Sequence, residues 1–302
     1  MKILIYGAGS LGSLVGGLLA REHLVALVAR PPHVEAIKQN GLEITGLREE
    51  KHEVLAMENL SELYWEPDLV LLTVKSYDTA NACRELAALE PVPVVSLQNG
   101  LGNLEIIRKT LWGPETVYGC TTSMGALLES PGSVRYTGKG KTVLQKPRME
   151  DDFVLSSLKE TFQREGMEIA FTEDIQNSLW EKAAVNLGIN YLTALSGKKN
   201  GFLADHWDHY SEFMGGLMTE LVQIAGGSGV RMDKEKCVAY VKEVAERTRG
   251  NTSSMLQDVK KGRRTENEAL AGYLLDIAGK NGRNSPRIQT LYSLMNLLEG
   301  RG

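Results

Sequence analysis

The sequence predicts an α/β protein: an N-terminal domain built on a parallel β-sheet, followed by an all-α domain. Three observations predict it. A short β-rich run, Lys2 to Tyr6, feeds directly into Gly7-Ala8-Gly9-Ser10-Leu11-Gly12. Strand-like apolar runs then alternate with helical patterns through the first half of the chain, as in repeated βαβ units. Beyond Thr172 the periodic segments are all helical. With 302 residues the length corresponds to about two domains, and the boundary is expected near Thr172, giving domains 1–172 and 173–302.

The bulk numbers narrow the class. The chain is 42% hydrophobic and 24% charged, an ordinary globular composition. Net charge is −4 and the basic residues are dispersed, so neither nucleic acid nor an anionic membrane is an expected partner. No apolar run approaches a membrane span, and the apolar part of Met1–Gly7 is too short for a signal peptide; a cytoplasmic protein is expected. Cys83, Cys120 and Cys237 follow neither metal-ligand nor C-x-x-C spacing. They read as reduced structural thiols, and no metal is expected.

In chain order, Lys2–Tyr6 reads as a strand buried on both faces. A helical pattern from Ser10 to about Glu22 follows, then a strand from Leu24 to Ala29. A G-x-G-x-x-G between strand and helix is the context of a dinucleotide fingerprint, hence of a Rossmann-type domain. Gly7 permits the tight turn, Gly9 lets the backbone approach the pyrophosphate, and Gly12 lets the helix pack on the sheet. Gly7, Ala8, Gly9, Ser10, Leu11 and Gly12 are therefore the expected cofactor loop, with the helix N-terminus facing the phosphates. The second strand ends Val28-Ala29-Arg30-Pro31-Pro32, without the acid that would hold the ribose of NAD. The planar fork of Arg30 suits a 2′-phosphate instead, which favours NADPH.

Asp68–Val74 and Val92–Leu97 read as buried strands. Lys75 follows the first and Gln98-Asn99-Gly100 the second, at strand C-termini where open parallel sheets bind ligands. Lys75 is a candidate for a cofactor phosphate or a substrate carboxylate, and Asn99 for the nicotinamide ribose or the substrate. Both also make sense as plain turn residues. Thr116–Cys120, Ser133–Tyr136 and Lys141–Leu144 are short β-rich pieces expected to extend the sheet, with antiparallel strands admitted. Gly138-Lys139-Gly140 reads as a hairpin connection. Asp151–Glu165 is an amphipathic helix and Gly166–Phe171 a last strand.

The second half turns on Trp180–Asn190. Read as a helix, it places Lys182, Asn186 and Asn190 at i, i+4 and i+8 along one face. Their neighbours Ala183, Ala184, Val185, Leu187 and Ile189 are apolar, whereas a solvated stripe would carry more charge. One cation and two carboxamides on such a helix point to a polar substrate. Thr193–Gly201 reads as a loop. Helices are expected over Tyr210–Ala225, Lys234–Thr248, Ser253–Lys260, Asn267–Gly279 and Pro286–Glu299. Asn251 to Asp258 brings an amide and hydroxyls, Ser254 among them, to a helix start. Thr265 and Glu268 have capping-box spacing. That leaves Glu266 either as a first-turn acid favoured by the helix dipole or as the acceptor of a ligand hydroxyl.

On these residues the chain resembles the ketopantoate reductase (2-dehydropantoate 2-reductase) family. Four motifs carry the resemblance: Gly7–Gly12; Lys75 with Gln98-Asn99-Gly100; Trp180–Asn186 with Asn190; and Asn251–Asp258 followed by Thr265-Glu266. It implies a Rossmann domain plus a helical domain, and NADPH-dependent reduction of ketopantoate to pantoate on the route to pantothenate and coenzyme A. Lys182 matches the family's general acid. Asn186, Asn190 and Ser254 match groups that hold the substrate, with Asn251 close by. Glu266 matches the acid that binds the substrate's terminal hydroxyl and is also placed at the cofactor. Asn99 and Lys75 match groups lining the cofactor and substrate site, and Arg30 matches the 2′-phosphate contact. The chain departs from the family pattern at Tyr191, where Pro is usual, and at Phe202, where an acid is usual.

In such a reaction hydride transfer develops negative charge on the ketone oxygen. An ammonium stabilises that charge and supplies the proton, which are the roles expected of Lys182. The expected partner is a small 2-keto acid, with the protein a monomer or homodimer. Two rivals remain: a reductase of the same fold acting on another 2-keto or hydroxy acid, and a non-catalytic NADP-binding sensor.

Overall fold

The computed structural model describes residues 1–300. They form two compact units, Met1–Asn99 with Asn103–Ile175, and Gly100–Gly102 with the chain from Gln176 onward.

The first unit runs β1 (Lys2–Tyr6), α1 (Ser10–Leu19), β2 (Leu24–Val28), α2 (Pro31–Asn40), β3 (Leu42–Gly46), β4 (Glu50–His52), β5 (Leu55–Met57), β6 (Leu69–Leu72), α3 (Thr79–Leu86), β7 (Val94–Ser96), α4 (Asn103–Thr110), β8 (Val117–Thr122), β9 (Gly125–Ser130), β10 (Ser133–Gly138), β11 (Lys141–Gln145), α5 (Asp152–Arg164) and β12 (Glu168–Thr172). Its main sheet has the order β12-β11-β8-β7-β6-β1-β2-β5. From β5 to β8 the strands are parallel, in the doubly wound dinucleotide-binding order. Ile3, Leu4, Ile5, Leu69, Val70 and Leu71 are fully buried, as near-continuous apolar runs in a sheet covered on both faces should be. β11 joins antiparallel to β8, and β12 follows parallel to β11.

A second, four-stranded sheet, β4-β3-β10-β9, was not expected. It corrects two readings: Ser133–Tyr136, expected to extend the main sheet, lies in β10 of this second sheet, and the expected hairpin does not form. Gly138-Lys139-Gly140 is no hairpin, because β10 pairs with β3 and β9 while β11 pairs with β8 and β12. The glycines instead carry the chain from one sheet to the other. Helix α1 packs against both. A Cβ on Gly16 would lie 2.6 Å from Leu27 of the main sheet, and one on Gly17 would lie 2.7 Å from Ile44 of the second. Small residues on two sides of α1 are what let both sheets approach it.

The second unit is helical: α6 (Ile175–Val185, its first residue counted with the other unit), a π segment (Asn186–Asn190), α7 (Tyr191–Ser196), α8 (Gly201–Asp205), α9 (Trp207–Gly227), α10 (Lys234–Arg247), α11 (Ser254–Lys260), a second π segment (Glu268–Gly272), α12 (Tyr273–Lys280) and α13 (Pro286–Leu298). Its core gathers Trp180, Leu187, Met214, Leu217, Leu221, Val241, Leu274 and Leu291. The reading of Thr193–Gly201 as a loop is corrected in its first part. The helix continues to Ser196 and is ended by Gly197, whose φ of 70° is the left-handed C-cap conformation. Glu220 is buried on α9 and accepts from Arg287 N–H and Ile288 N–H, at 3.0 Å each, so it caps α13 behind Pro286. Among the described residues no helix is long and apolar enough to cross a membrane.

Candidate active site

In the first unit the glycine turn lies at the C-terminal end of β1. Gly7 N–H and Ala8 N–H both donate to Val28 O, at 3.1 and 2.8 Å. Those amides are spent on fixing the turn to β2. Thr73 Oγ1 donates to Gly7 O, 2.9 Å, and fixes it to the chain beyond β6. The first-turn amides of α1, at Ser10, Leu11 and Gly12, have no intrahelical partner and stay available to an anion. Ser10 Oγ accepts from Leu128 N–H at 3.0 Å. Gly9 is exposed, and a Cβ there would meet nothing nearer than 4.0 Å. A Cβ on Gly12 would lie 2.5 Å from Thr73 Oγ1. The cradle therefore has the shape a dinucleotide pyrophosphate needs: closed toward the sheet and open at Gly9. Arg30 is exposed and precedes α2, with its carbonyl accepting from His33 N–H and Val34 N–H. Pro31 and Pro32 open that helix, a position where a missing N–H costs nothing.

Lys75 and Asn99, both half-buried, sit on the turns after β6 and β7. Sequence reasoning quoted Gln98 in a motif but missed its work. Its amide Nε2 donates to Val74 O, 3.0 Å, and to Thr79 Oγ1, 2.7 Å, and so joins the two strand ends. Thr79 Oγ1 donates to Asn103 Oδ1, 3.0 Å, and Asn103 Nδ2 donates to Asn99 O, 2.8 Å. This buried amide–hydroxyl chain holds the Lys75 and Asn99 turns in place. The spacing from Asn99 to Asn103 was its one available signal.

A second buried pair underlies the cofactor cradle. Gly132 N–H donates to His33 Nδ1, 2.9 Å, so the ring proton is on Nε2, which contacts Ser13 Oγ at 2.9 Å. Ser13 Oγ donates in turn to Ala8 O, 3.3 Å. Burial holds His33 below its ordinary value of 6.5. A neutral ring is thus favoured in the folded state, while the unfolded chain takes up a proton near 6.5. Stability from this group is complete above that value and is lost as pH falls through it. His23, also lowered by burial, acts with the same sign. The melting temperature of the cofactor-free protein is expected to fall between about pH 7 and about pH 5, and His33→Gln is expected to flatten the decline. An unchanged slope in that variant would show that His33 carries no linkage.

In the second unit, Lys182 lies half-buried on α6, one turn before the π segment. The expected uninterrupted α-helix is corrected here. Residues Asn186–Asn190 form a π turn, a local widening often found at functional sites. Gly188 allows it to pack tightly, since a Cβ there would lie 2.7 Å from Val241 Cγ1 and 3.0 Å from Met214 Sδ. Asn190 Nδ2 donates to Asn186 Oδ1, 3.1 Å, and reaches Ser254 Oγ at 3.4 Å. Three of the expected substrate residues are thereby brought together. Ser253, quoted in the Asn251–Asp258 motif without a role of its own, ties the start of α11 to α7. Its hydroxyl caps α11 by accepting from Leu256 N–H and shares a 2.7 Å hydrogen bond with Thr193 Oγ1. Asn251 is exposed on the preceding loop, where its carbonyl accepts from Asn200 N–H, 3.1 Å. Its side chain is not bonded into the Asn186–Asn190–Ser254 group by any contact described.

Glu266 is 7% exposed. The capping box expected beside it does not form. Thr265 gives its N–H and hydroxyl to Glu299, and its oxygen accepts from Asn267 N–H at 3.2 Å. Glu268 instead accepts from Tyr292 Oη, 2.6 Å. The residues after Glu266 form the second π segment, which packs against the first. Leu101 N–H, from the short stretch Gly100–Gly102, donates to Ala269 O within it, 2.9 Å.

Both units have counterparts among known proteins. The chain matches "Ketopantoate reductase PanE/ApbA" over residues 3–148 and "Ketopantoate reductase PanE/ApbA C terminal" over residues 174–299. A 2-dehydropantoate 2-reductase of Pyrococcus horikoshii is 37% identical over 305 residues, covering 100% of this chain and 99% of its own length. The crystal structure of a PanE/ApbA family ketopantoate reductase from Ralstonia eutropha JMP134 is similar with a TM-score of 0.89 and 30% identity, covering 100% of this chain and 99% of the other. D-mandelate dehydrogenase, solved with NADH and anilino(oxo)acetate, is similar with a TM-score of 0.91 and 26% identity, covering 99% of each chain. With both parts of the family matched and a relative of this identity aligned end to end, the chain belongs to the ketopantoate reductase family.

Proposed function

We propose that the chain reduces ketopantoate to pantoate at the expense of NADPH, as a cytoplasmic step toward pantothenate and coenzyme A. The observation that carries this is the bonded Asn186–Asn190–Ser254 group one helical turn after Lys182. In this reading residues 1–172 are the cofactor domain and 173–302 the substrate domain. The glycine turn, Arg30 and Lys75 hold the cofactor, and Asn99 serves cofactor and substrate. NADPH supplies the hydride when bound. Asn186, Asn190 and Ser254 orient the 2-keto acid, with Asn251 at the margin, so that entropy is lost before the chemical step rather than during it. The Lys182 ammonium faces the charge that develops on the keto oxygen and gives it a proton. Glu266 accepts a hydrogen bond from the terminal hydroxyl that distinguishes ketopantoate from simpler keto acids and also borders the cofactor.

The test is NADPH oxidation with ketopantoate, trimethylpyruvate (ketopantoate without its terminal hydroxyl) and the keto acid corresponding to mandelate. Ketopantoate is expected to give the highest kcat/KM. A second reading, reduction of a different 2-keto acid, draws on the similarity to D-mandelate dehydrogenase. A preference for the aromatic acid would establish it instead. Turnover of any of them excludes a non-catalytic sensor.

The cofactor assignment has its own expected outcome. A charge-assisted hydrogen bond is worth about 1.5–3 kcal/mol, so Arg30→Ala should weaken NADPH binding roughly ten- to hundredfold and leave NADH binding unchanged. Equal losses for both cofactors, measured by fluorescence titration, would show that Arg30 does not read the 2′-phosphate.

A further inference from the structure

Tyr191 is 0% exposed and directly follows the π segment that ends in Asn190. Its hydroxyl reaches the other π segment. It accepts from Ala271 N–H, 3.2 Å, and donates to Asn267 Oδ1, 2.7 Å. In an α-helix the Ala271 N–H would go to Asn267 O, four residues back. Here that carbonyl accepts from Gly272 N–H at 3.0 Å. The tyrosine oxygen takes the N–H that the wider turn displaces. A side chain inserted into the helical ladder is a physical cause of such a distortion.

The distortion starts just after Glu266, whose neighbours are both fixed. Thr265 is tied to Glu299 through its N–H and hydroxyl. Asn267 uses its whole side chain: Oδ1 takes the Tyr191 hydroxyl, while Nδ2 donates to Tyr292 O, 3.0 Å, and Asn296 Oδ1, 2.9 Å. Leu270 N–H closes on Glu266 O at 3.1 Å. Among these anchors, only Tyr191 comes from the chain that carries Asn186 and Asn190. It is therefore a direct tie between the helix that bears the substrate amides and the segment that bears Glu266.

We propose that Tyr191 is a positioning residue for Glu266: its hydroxyl sets the π turn that holds the carboxylate in register with Asn190, and so governs the choice between 2-keto acids with and without a terminal hydroxyl. This rests on the reading of Glu266 as the acceptor of that hydroxyl. Tyr191→Phe keeps the ring and its packing but strands the Ala271 N–H and the Asn267 oxygen, and the local turn should relax toward an α-helical ladder.

The experiment compares steady-state kinetics of the wild type, Tyr191→Phe, Glu266→Ala and the double variant on ketopantoate and on trimethylpyruvate. Tyr191→Phe is expected to raise KM for ketopantoate about tenfold, the size of one lost charge-assisted hydrogen bond, with kcat little changed and trimethylpyruvate kinetics near wild type. Added to Glu266→Ala it should bring no further loss of discrimination, because the two act as one unit. Equal losses on both substrates, or losses additive with Glu266→Ala, overturn the inference. A wild type that does not favour ketopantoate, or a Glu266→Ala variant that keeps the preference, overturns the reading of Glu266 and this inference with it. If Tyr191→Phe does not fold, Asn267→Ser carries the same comparison. It removes the acceptor, leaves the hydroxyl on Ala271, and is expected to shift ketopantoate KM in the same direction. An unshifted KM in the folded variant overturns the inference.

Discussion

Lys182→Ala is expected to lose at least about a hundredfold in kcat, the lower end of what general acid catalysis supplies. In the proposed mechanism the substitution deletes both the proton donor and the positive charge that faces the developing alkoxide. Two features of the second unit motivate it. Lys182 is half-buried on a helix whose neighbouring residues Ala183, Ala184 and Leu187 form core. One turn later the chain widens into the π segment that gathers Asn186, Asn190 and Ser254. Affinity for NADPH should change little, because the residues assigned to the phosphates are the glycine turn and Arg30. Melting should stay near the wild-type value, since the core side of α6 is untouched. A folded, NADPH-binding Lys182→Ala protein with kcat within a few-fold of wild type would remove Lys182 from the mechanism. Retained activity in Lys182→Arg, set against loss in the Ala variant, would divide charge stabilisation from proton delivery, because a guanidinium keeps the charge and gives up its proton far less readily.

Gly7→Ala is expected to be the most damaging change in the cofactor cradle. Gly7 has a φ of +105°, and a Cβ there would lie 2.5 Å from Val74 Cγ1, 2.6 Å from Val74 N and 2.8 Å from Val74 Cα. Two of those atoms are backbone, so the turn or the chain just beyond β6 must shift. Left-handed backbone costs an L-residue roughly 1–2 kcal/mol, and overpacking typically adds about 1–3 kcal/mol. At about 2–4 °C per kcal/mol for a unit of this size, the melting temperature should fall by roughly 4–20 °C, with NADPH affinity falling too. Gly9→Ala is the control. Its Cβ meets nothing nearer than 4.0 Å within the protein, so melting should hold while NADPH affinity falls, because the methyl stands on the side left open for the pyrophosphate. Equal melting temperatures for Gly7→Ala and the wild type would show that the turn tolerates a side chain. Unchanged NADPH affinity in Gly9→Ala would show that the cofactor does not approach there.

Much of this was legible in the residues. The apolar runs of β1, β2, β6 and β7, the glycine spacing and the absence of an acid after β2 are local features. Their meaning is set by steric rules that act within a few residues, so the α/β domain and the helical second half followed from them. The alternation of Lys182, Asn186 and Asn190 was also local, and Asn190 does bond to Asn186.

What the residues did not disclose is which partner each polar group takes. β3 and β10 pair across a long stretch of chain and build a second sheet, because strand pairing is settled by which apolar faces meet over α1 and not by nearness in sequence. Thr265 had a suitable acid three residues on, yet Glu299 lies where its N–H and hydroxyl point and takes both. The two π turns are invisible to a pattern of apolar positions, since that pattern records which face is buried and not which carbonyl an N–H will find. By itself the sequence determined the class of each domain and the glycine turn between β1 and α1. The tertiary structure alone decided that a tyrosine hydroxyl eighty residues away would occupy the helical ladder next to Glu266, because only packing brings that oxygen within reach of the Ala271 N–H and excludes the water that would otherwise compete for it.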